Sequence, residues 1–178
     1  FPEKPDYLPI SDEEFRQETL AAWSQDGYRE RITAALRGGE REWAILYKDK
    51  DFLVRGAVTC RASEEIQLKM LHEPEPAVRK LLAQYGTDCV RVALLTQREA
   101  DPEVLVEIAK WGSVQVKNRI LPLMWDRPEV LQKIAPFLGS RGLRILEKHP
   151  YQEVQFCASL YGSREKCKRF LDAVKGKK

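Results

Sequence analysis

A chain of 178 residues has the size of one ordinary domain or one short repeat array. Apolar residues make up 43% and charged residues 32%. The sequence contains no run of about 18 apolar residues, so no membrane-spanning helix is expected. The net charge is only +3, but residues 101–178 carry 15 basic and 9 acidic groups. Any attraction for an anionic partner is therefore expected to be modest and to come from the C-terminal part.

The N-terminal residues predict an arm followed by a helix. Three prolines, Pro2, Pro5 and Pro9, favour an extended arm over residues 1–10. Ser11 and Glu14 have the spacing of a capping box, which predicts a helix over residues 11–24 that caps the structure behind it. Because the first residue is not Met, the sequence leaves open whether a targeting segment has been removed.

One pattern then recurs about every 25 residues. A pair of apolar residues marks each copy, at steps of 25, 24, 26, 25 and 25 residues. The pairs are Ile45-Leu46, Met70-Leu71, Leu94-Leu95, Ile120-Leu121, Ile145-Leu146 and Phe170-Leu171. A valine runs in phase with the pairs, at Val54, Val78, Val104, Val130 and Val154. Internal repetition at this period indicates a repeat architecture.

Each copy predicts two helices separated by a tight turn. Pro76 stands in the first turn of the first helix, where a missing N–H costs nothing. Gly86 is expected to end that helix with a positive φ, and Thr87 to cap the next one. The second copy thus predicts helices over residues 76–85 and 88–97, and the last copy predicts the same turn at Gly162-Ser163.

The apolar spacing favours helices over strands, since Val78, Leu81 and Leu82 form one stripe of a helix. Helices this short need neighbours to bury their apolar faces. We therefore predict an all-α fold, a right-handed α-α superhelix or solenoid of about five to six two-helix repeats. The predicted domain spans residues 11–175, with repeats at approximately 29–50, 51–73, 74–98, 99–124, 125–148 and 149–175.

The stretch EPEPAVR, residues 73–79, resembles the signature of the leucine-rich repeat variant family. DPEVL at 101–105 and RPEVL at 127–131 echo it, and the likeness covers roughly residues 50–175. The chain is also similar to a short HEAT-type superhelix, whose usual repeat is longer. The resemblance implies an α-α superhelix with a binding role. The iron–sulfur domain of some variant-repeat proteins is not implied, because no cysteine precedes Cys60.

No arrangement of residues predicts a catalytic, metal or cofactor site. The four cysteines are far apart and lie away from His72 and His149, which argues against zinc. Reduced thiols are expected, with a Cys157–Cys167 pairing left open. Both histidines fall near predicted helix ends, where a structural role is favoured. We predict no catalytic residue, although catalytic groups need not be close in sequence.

Basic and aromatic side chains supply the candidate binding residues. Basic residues recur just before the apolar pairs, or three positions before them, and stacked copies would align them as a ridge. The basic candidates are Lys69, Arg91, Lys117, Arg119, Arg144 and Arg169, and the aromatic candidates are Trp111 and Trp125. The ridge would dock an acidic partner or a phosphate backbone. Alternatively, the basic stems cover the edge of the core with their heads in water, and the aromatics pack between repeats.

We expect a non-enzymatic protein–protein interaction or scaffold module for an acidic protein surface, located in the cytoplasm, with no cofactor. The alternative is nucleic-acid binding through the basic ridge, resembling the HEAT-like alkylpurine DNA glycosylases. A third interpretation is a structural subunit of a larger assembly. The oligomeric state stays open.

Overall fold

The computed structural model describes residues 11–14, 16–17 and 27–175, and the side chains of these except 165 and 167–175. Every regular element within residues 27–175 is helical, which confirms the all-α prediction for this part of the chain. The helices are α1 (Tyr28–Arg37), α2 (Glu40–Leu46), α3 (Phe52–Thr59), α4 (Glu64–Lys69), α5 (Pro76–Tyr85), α6 (Asp88–Thr96), α7 (Pro102–Trp111), α8 (Val114–Leu123), α9 (Pro128–Ile134) with a 3-10 turn at Ala135–Phe137, α10 (Ser140–Leu146) and α11 (Gln152–Lys175).

The helices begin at regular intervals along the chain. The odd-numbered helices from α3 onward start at residues 52, 76, 102, 128 and 152. The even-numbered helices start at residues 40, 64, 88, 114 and 140. Within each series the step is 24 or 26 residues. The two helices predicted for the second copy are present, and the second of them ends at Thr96, one residue before its expected end.

The chain divides into two compact units, Phe1–Val78 and Arg79–Lys178. In the first unit, α1 packs against α2 and α3. In the second, α7 packs on α9 and α9 on α11, while α6 packs on α8 and α8 on α10. Helices of the same series therefore lie side by side. Fully buried aliphatic residues from both series fill the core of the second unit: Leu94, Leu105, Ile108, Ile120, Leu131, Ile134 and Leu146.

The prediction that residues 149–175 form a repeat of two helices is wrong. Gln152–Lys175 is one continuous helix that runs through Gly162-Ser163 without a turn. The Ser163 hydroxyl donates back to the Ser159 carbonyl at 2.9 Å instead of capping a new helix. One glycine in a helix interior costs only about 1 kcal/mol, and no proline breaks the segment. Cys157 and Cys167 are thus about 15 Å apart along one helix axis, which is too far for a disulfide.

The predicted capping box at the N-terminus is present. The Ser11 backbone N–H and hydroxyl donate to Glu14 Oε2 at 2.9 and 2.8 Å, and the Glu14 N–H donates to Ser11 Oγ at 3.2 Å. The hydrogen bonds from Ser11 lower the pKa of Glu14. Residues 12–14 and 16–17 are helical. The predicted arm over 1–10 and the rest of the predicted helix to residue 24 lie outside the described residues.

The glycines that follow α5 and α7 are required because a side chain there would be crowded, and not because the backbone has a positive φ. Gly112 has φ −72° and ψ 151°, and no glycine in the described part of the chain has a positive φ. A Cβ on Gly112 would lie 2.6 Å from the Ile108 carbonyl oxygen and 2.7 Å from Val116 Cγ1. A Cβ on Gly86 would crowd the Leu82 carbonyl oxygen and would lie 2.9 Å from Val90 Cβ. The end of one helix and the start of the next therefore both lie too close to the glycine for an added Cβ.

Replacing Gly112 with alanine is expected to lower the free energy of unfolding by about 2 kcal/mol, because the new methyl group overpacks the turn. The matched control is Gly139→Ala, whose Cβ would meet nothing within 4 Å. Urea denaturation followed by circular dichroism measures both. Equal midpoints for the two variants would contradict the close-approach explanation.

Three buried arginine–acid clamps hold the turns that precede α3, α5 and α7. In each clamp, the arginine is the fourth residue of one odd-numbered helix, and the acid lies three residues before the next. The clamps are Arg31–Asp49 (2.9 Å), Arg55–Glu73 (2.6 Å) and Arg79–Glu99 (2.7 Å). In the first clamp, Arg31 Nε and Asp49 form an ion pair, but the geometry at Nε is not that of a hydrogen bond. Hydrogen bonding to Glu73 raises the pKa of Arg55.

Each clamp acid also accepts a backbone N–H two residues further along the chain. The donors are Asp51 (2.9 Å), Glu75 (3.1 Å) and Asp101 (2.9 Å). One carboxylate thus ties the side of one helix to the entry of the next. The clamps account for the acid and the Arg of the EPEPAVR stretch, since Glu73 belongs to one clamp and Arg79 to the next.

Glu99→Gln is expected to lower the free energy of unfolding by about 3 kcal/mol, since it removes the anion that faces Arg79 in a mostly buried pair. The matched control is Glu65→Gln in the exposed Lys69–Glu65 pair, which should leave the denaturation midpoint unchanged. If both variants unfold at the same urea concentration, the clamp does not stabilise the fold.

Candidate binding groove

The clamp pattern stops after α7, and the side chains that replace it form the candidate site. The fourth residues of α7 and α9 are Leu105 and Leu131, which are fully buried and cannot donate a hydrogen bond. Three residues before α9 and α11, where the clamps have an acid, stand Trp125 and His149. The last two turns of this series are therefore built differently from the first three.

His149 takes over the role of the clamp acid in the turn before α11. Its Nδ1 accepts the Tyr151 backbone N–H at 3.2 Å, two residues on, as the clamp acids do. This leaves the hydrogen on Nε2, which donates to the Trp125 carbonyl oxygen at 2.9 Å. The imidazole is fully buried. His149 thus has a structural role through hydrogen bonds on both ring nitrogens, whereas the sequence predicted an interaction with the helix dipole.

Trp125 has no side-chain acceptor, so the turn before α9 lacks this hydrogen bond. Its indole packs on the His149 ring instead, with the ring centroids 4.4 Å apart and the planes tilted by 58°. The indole is only partly buried and borders an open groove. A chain that departs from its own repeated structural pattern at a partly exposed aromatic residue does so typically at a functional position.

The Trp125 groove, as we call this surface, has an apolar floor and a basic rim. It encloses about 1030 Å³ and is lined by Trp125, Ser140, Arg141, Arg144, Ile145, Glu147 and Lys148. An adjoining recess of about 580 Å³ shares Trp125, Arg141 and Ile145 and adds Asn118, Leu121, Pro122 and Asp126. Arg141, Arg144 and Ile145 have the spacing i, i+3, i+4, which places them on one face of α10. Lys148 lines the groove from the turn that follows this helix. Three basic and two acidic side chains therefore surround the floor.

Pro122 adds hydrogen-bonding capacity to the recess. It lies in the last turn of α8 and has no N–H to donate to the carbonyl of Asn118, four residues earlier. Asn118 lines the same recess. Its side-chain amide supplies both donors and an acceptor. The recess thus combines an aromatic ring, an arginine and an amide, which is a combination suited to binding a chain with both polar and apolar groups.

The structure removes Arg91 from the predicted basic ridge. Arg91 is only 8% exposed, and its guanidinium donates to the Ala83 and Gln84 carbonyls at 2.8 and 3.0 Å. It also pairs with Asp88, which accepts the Ser113 N–H at 3.2 Å. Hydrogen bonds from Ser113 and Arg91 lower the pKa of Asp88. Arg91 therefore binds the C-terminal carbonyls of α5 and is not available to a partner.

The remaining ridge residues do not form one row. Counted from the helix starts, Arg119 of α8 matches Ile145 of α10, whereas Arg144 matches Asn118. The apolar pair slips by one residue in α10, because Leu146 is buried while Ile145 is 37% exposed. Arg119 and Arg144 are exposed, and Lys117 is partly exposed. Lys69 is exposed and pairs with Glu65 at 2.7 Å, and the side chain of Arg169 lies outside the described residues.

Three aromatic residues, Tyr85, Trp111 and Tyr161, directly precede a glycine in the sequence, and two of them lie at a turn. Tyr85 and Trp111 are the last residues of α5 and α7 and are 51% and 47% exposed. The Trp111 indole N–H donates to Glu107 at 2.8 Å. Packing between repeats therefore accounts for only part of either ring. Tyr161 lies inside α11, so it is not at a turn.

The groove residues that sequence reasoning missed are Arg141, Ile145 and Lys148. Ile145 was expected to be a core residue of an apolar pair, and its exposure follows from where α10 begins. The sequence does contain a signal for the groove: the position three residues before a helix, which holds Asp49, Glu73 and Glu99 in three copies, holds Trp125 in the next. Reading the residues three positions before each predicted helix start would have found it.

The described residues contain no group of histidine, cysteine and carboxylate side chains placed to hold a metal ion. Among these same residues, no helix has the length and apolar character needed to cross a bilayer. Burial raises the pKa of the Cys60 thiol, which disfavours the reactive thiolate.

Comparison with protein-family models, with curated proteins and with solved structures finds no match to this chain.

His149→Phe is expected to lower the free energy of unfolding by about 2 kcal/mol, because the Tyr151 N–H and the Trp125 carbonyl lose their partner. The phenyl ring keeps the contact with the Trp125 indole. His149→Ala should cost about 2 kcal/mol more, since it removes that contact as well and leaves a cavity. Thermal or urea denaturation measures both values. A phenylalanine variant as stable as the wild type would show that the hydrogen bonds do not hold the turn.

Proposed function

We propose that this chain is a non-enzymatic protein-binding module that docks a segment of another protein in the Trp125 groove. In each of its two units, successive helix pairs stack as turns of a right-handed α-α superhelix. The regular helix starts and the side-by-side packing within each series support this stacking. The likeness of the EPEPAVR stretch to leucine-rich repeat variants agrees with it.

The single observation that carries the proposal is the composition of the groove. An open surface with a partly exposed aromatic floor and a polar rim has the anatomy of a protein interface. Tryptophan and arginine are the residues that most often dominate binding energy at such surfaces. The basic residues on its rim favour an acidic partner and contribute more to encounter rate and specificity than to affinity.

Protein is favoured over nucleic acid by the two acids of the groove. Asp126 and Glu147 line it together with the three basic side chains. A phosphate backbone carries one charge at every step and would meet both carboxylates, whereas a protein segment can place its own charges to avoid them. The predicted ridge also loses Arg91 to the fold, which weakens the case for a continuous anion-binding surface.

Reversing the charge of both Arg119 and Arg144 to glutamate is expected to leave the fold intact and to weaken partner capture about tenfold or more. Both side chains are exposed, so no buried contact is lost. The purified chain serves as bait in nuclease-treated lysate, and quantitative mass spectrometry compares recovery by wild type and variant. Circular dichroism confirms that the helices are unchanged.

The matched control is the double variant Arg29→Glu, Arg61→Glu, which makes the same charge change at exposed positions of the first unit. Proteins lost with the first variant and kept by the control support the proposal. Equal recovery by both variants, or capture that depends on intact nucleic acid, contradicts it. A gel shift that weakens steeply with salt would then favour the nucleic-acid alternative.

A further inference from the structure

We propose that the segment bound in the Trp125 groove is a short acidic stretch in which two carboxylates and one aromatic or branched aliphatic side chain stand at alternate positions, so that all three point to the same side. This inference rests on the proposed function and specifies the partner. The apolar side chain packs on Trp125 and Ile145, and the carboxylates pair with Arg141 and Arg144. The chain thus reads two acids and one apolar residue at every second position.

The apolar contact comes from the floor of the groove. Trp125 presents an indole whose other face is supported by the buried His149 ring, so the platform is already ordered before binding. Ile145 is 37% exposed beside it, and Leu121 and Pro122 continue the floor into the recess. A preordered aromatic surface lowers the entropy lost on binding. One apolar side chain fills this floor.

The charge requirement comes from the face of α10 that borders the floor. Arg141 and Arg144 are three residues apart, so their Cβ atoms lie about 5–6 Å from each other. In an extended segment, side chains at n and n+2 point to the same side and are about 7 Å apart. Two carboxylates at n and n+2 therefore match the two guanidinium groups, and an apolar side chain at n−2 or n+4 faces the floor on the same side. Lys148 lines the same groove from the turn that follows α10 and can meet a third acid.

The polar recess accounts for the backbone of the segment. Asn118 can donate to a peptide carbonyl and accept a peptide N–H through its side-chain amide. Because Pro122 does not occupy the Asn118 carbonyl, a second acceptor borders the same place. Asp126 and Glu147 at the edge disfavour a longer run of acids than the basic side chains can match. The groove therefore selects a short acidic pattern over a polyanion.

The test is a selection from a random short-peptide display library against the purified full chain, followed by fluorescence polarisation with synthetic peptides of the enriched sequences. Enriched peptides should contain two carboxylates two positions apart and an aromatic or aliphatic residue two positions before or after them. Converting those Asp and Glu residues to Asn and Gln should weaken binding about tenfold or more, as the loss of charge-assisted hydrogen bonds predicts. Binding should also weaken as salt is raised.

Protein variants locate the site. Trp125→Ala and, separately, the double variant Arg141→Gln, Arg144→Gln should each weaken binding about tenfold or more. The exposed arginine positions keep the test valid if the tryptophan variant is unstable. The matched controls are Phe156→Ala, which removes an aromatic side chain that is 70% exposed on α11, and Arg61→Gln in the first unit. Both controls should bind as the wild type does.

The two proposals can fail separately. Enriched peptides that need Trp125 but carry no carboxylates would overturn the acidic pattern and leave the protein-binding function standing. Acidic peptides whose binding is unchanged by all the groove variants would move the site elsewhere and overturn this inference. A library that yields no binder, together with nuclease-sensitive capture in the pull-down, would overturn both proposals.

Discussion

The fold depends on one hydrogen-bond acceptor placed three residues before α3, α5, α7 and α11. A chain that leaves one helix and enters another within a few residues exposes backbone N–H groups that the helix itself cannot satisfy. Asp49, Glu73 and Glu99 satisfy them and pair with an arginine of the preceding helix in the same series. His149 does the same with a ring nitrogen. Because these groups are buried, their loss leaves an unpaired polar atom or charge inside the protein.

This constraint gives the Trp125 groove its significance. Four of the five turns keep an acceptor at that position, and the turn with Trp125 does not. Ordinary packing would be served by another clamp, since Leu105 could as well have been the arginine found at Arg31, Arg55 and Arg79. In the turn with Trp125, the Arg127 N–H donates to the Met124 carbonyl instead, and a partly buried aromatic ring packs against His149. A departure from the repeated clamp that coincides with an open, basic-rimmed groove is the reason to assign recognition to this place.

The candidate site shows how small shifts in register matter. Arg119 and Arg144 both precede an apolar pair in the sequence, yet they occupy different rows, because α10 begins one residue out of phase with the pair. Because of this one-residue shift, Ile145 is exposed and lines the Trp125 groove together with Arg141, Arg144 and Lys148. Arg91 shows the opposite outcome, since a residue of the same sequence pattern folds inward onto the carbonyls of α5. Basic residues at equivalent spacing thus serve either the surface or the fold.

The sequence by itself determined the helical class, the period of about 25 residues and the bounds of helices such as Pro76–Tyr85, because apolar spacing, proline and glycine act locally. It also singled out Trp125 and Arg144. Only the tertiary structure decided that Gly112 is required by a close approach, that Gly162 lies within a continuous helix, and that Arg91 is buried. It alone paired Arg79 with Glu99 and brought Trp125 against His149. The Arg79–Glu99 and Trp125–His149 contacts join residues 20 and 24 positions apart. The outcomes at Gly112 and Arg91 depend on how closely one helix approaches the next, and no local pattern contains that distance.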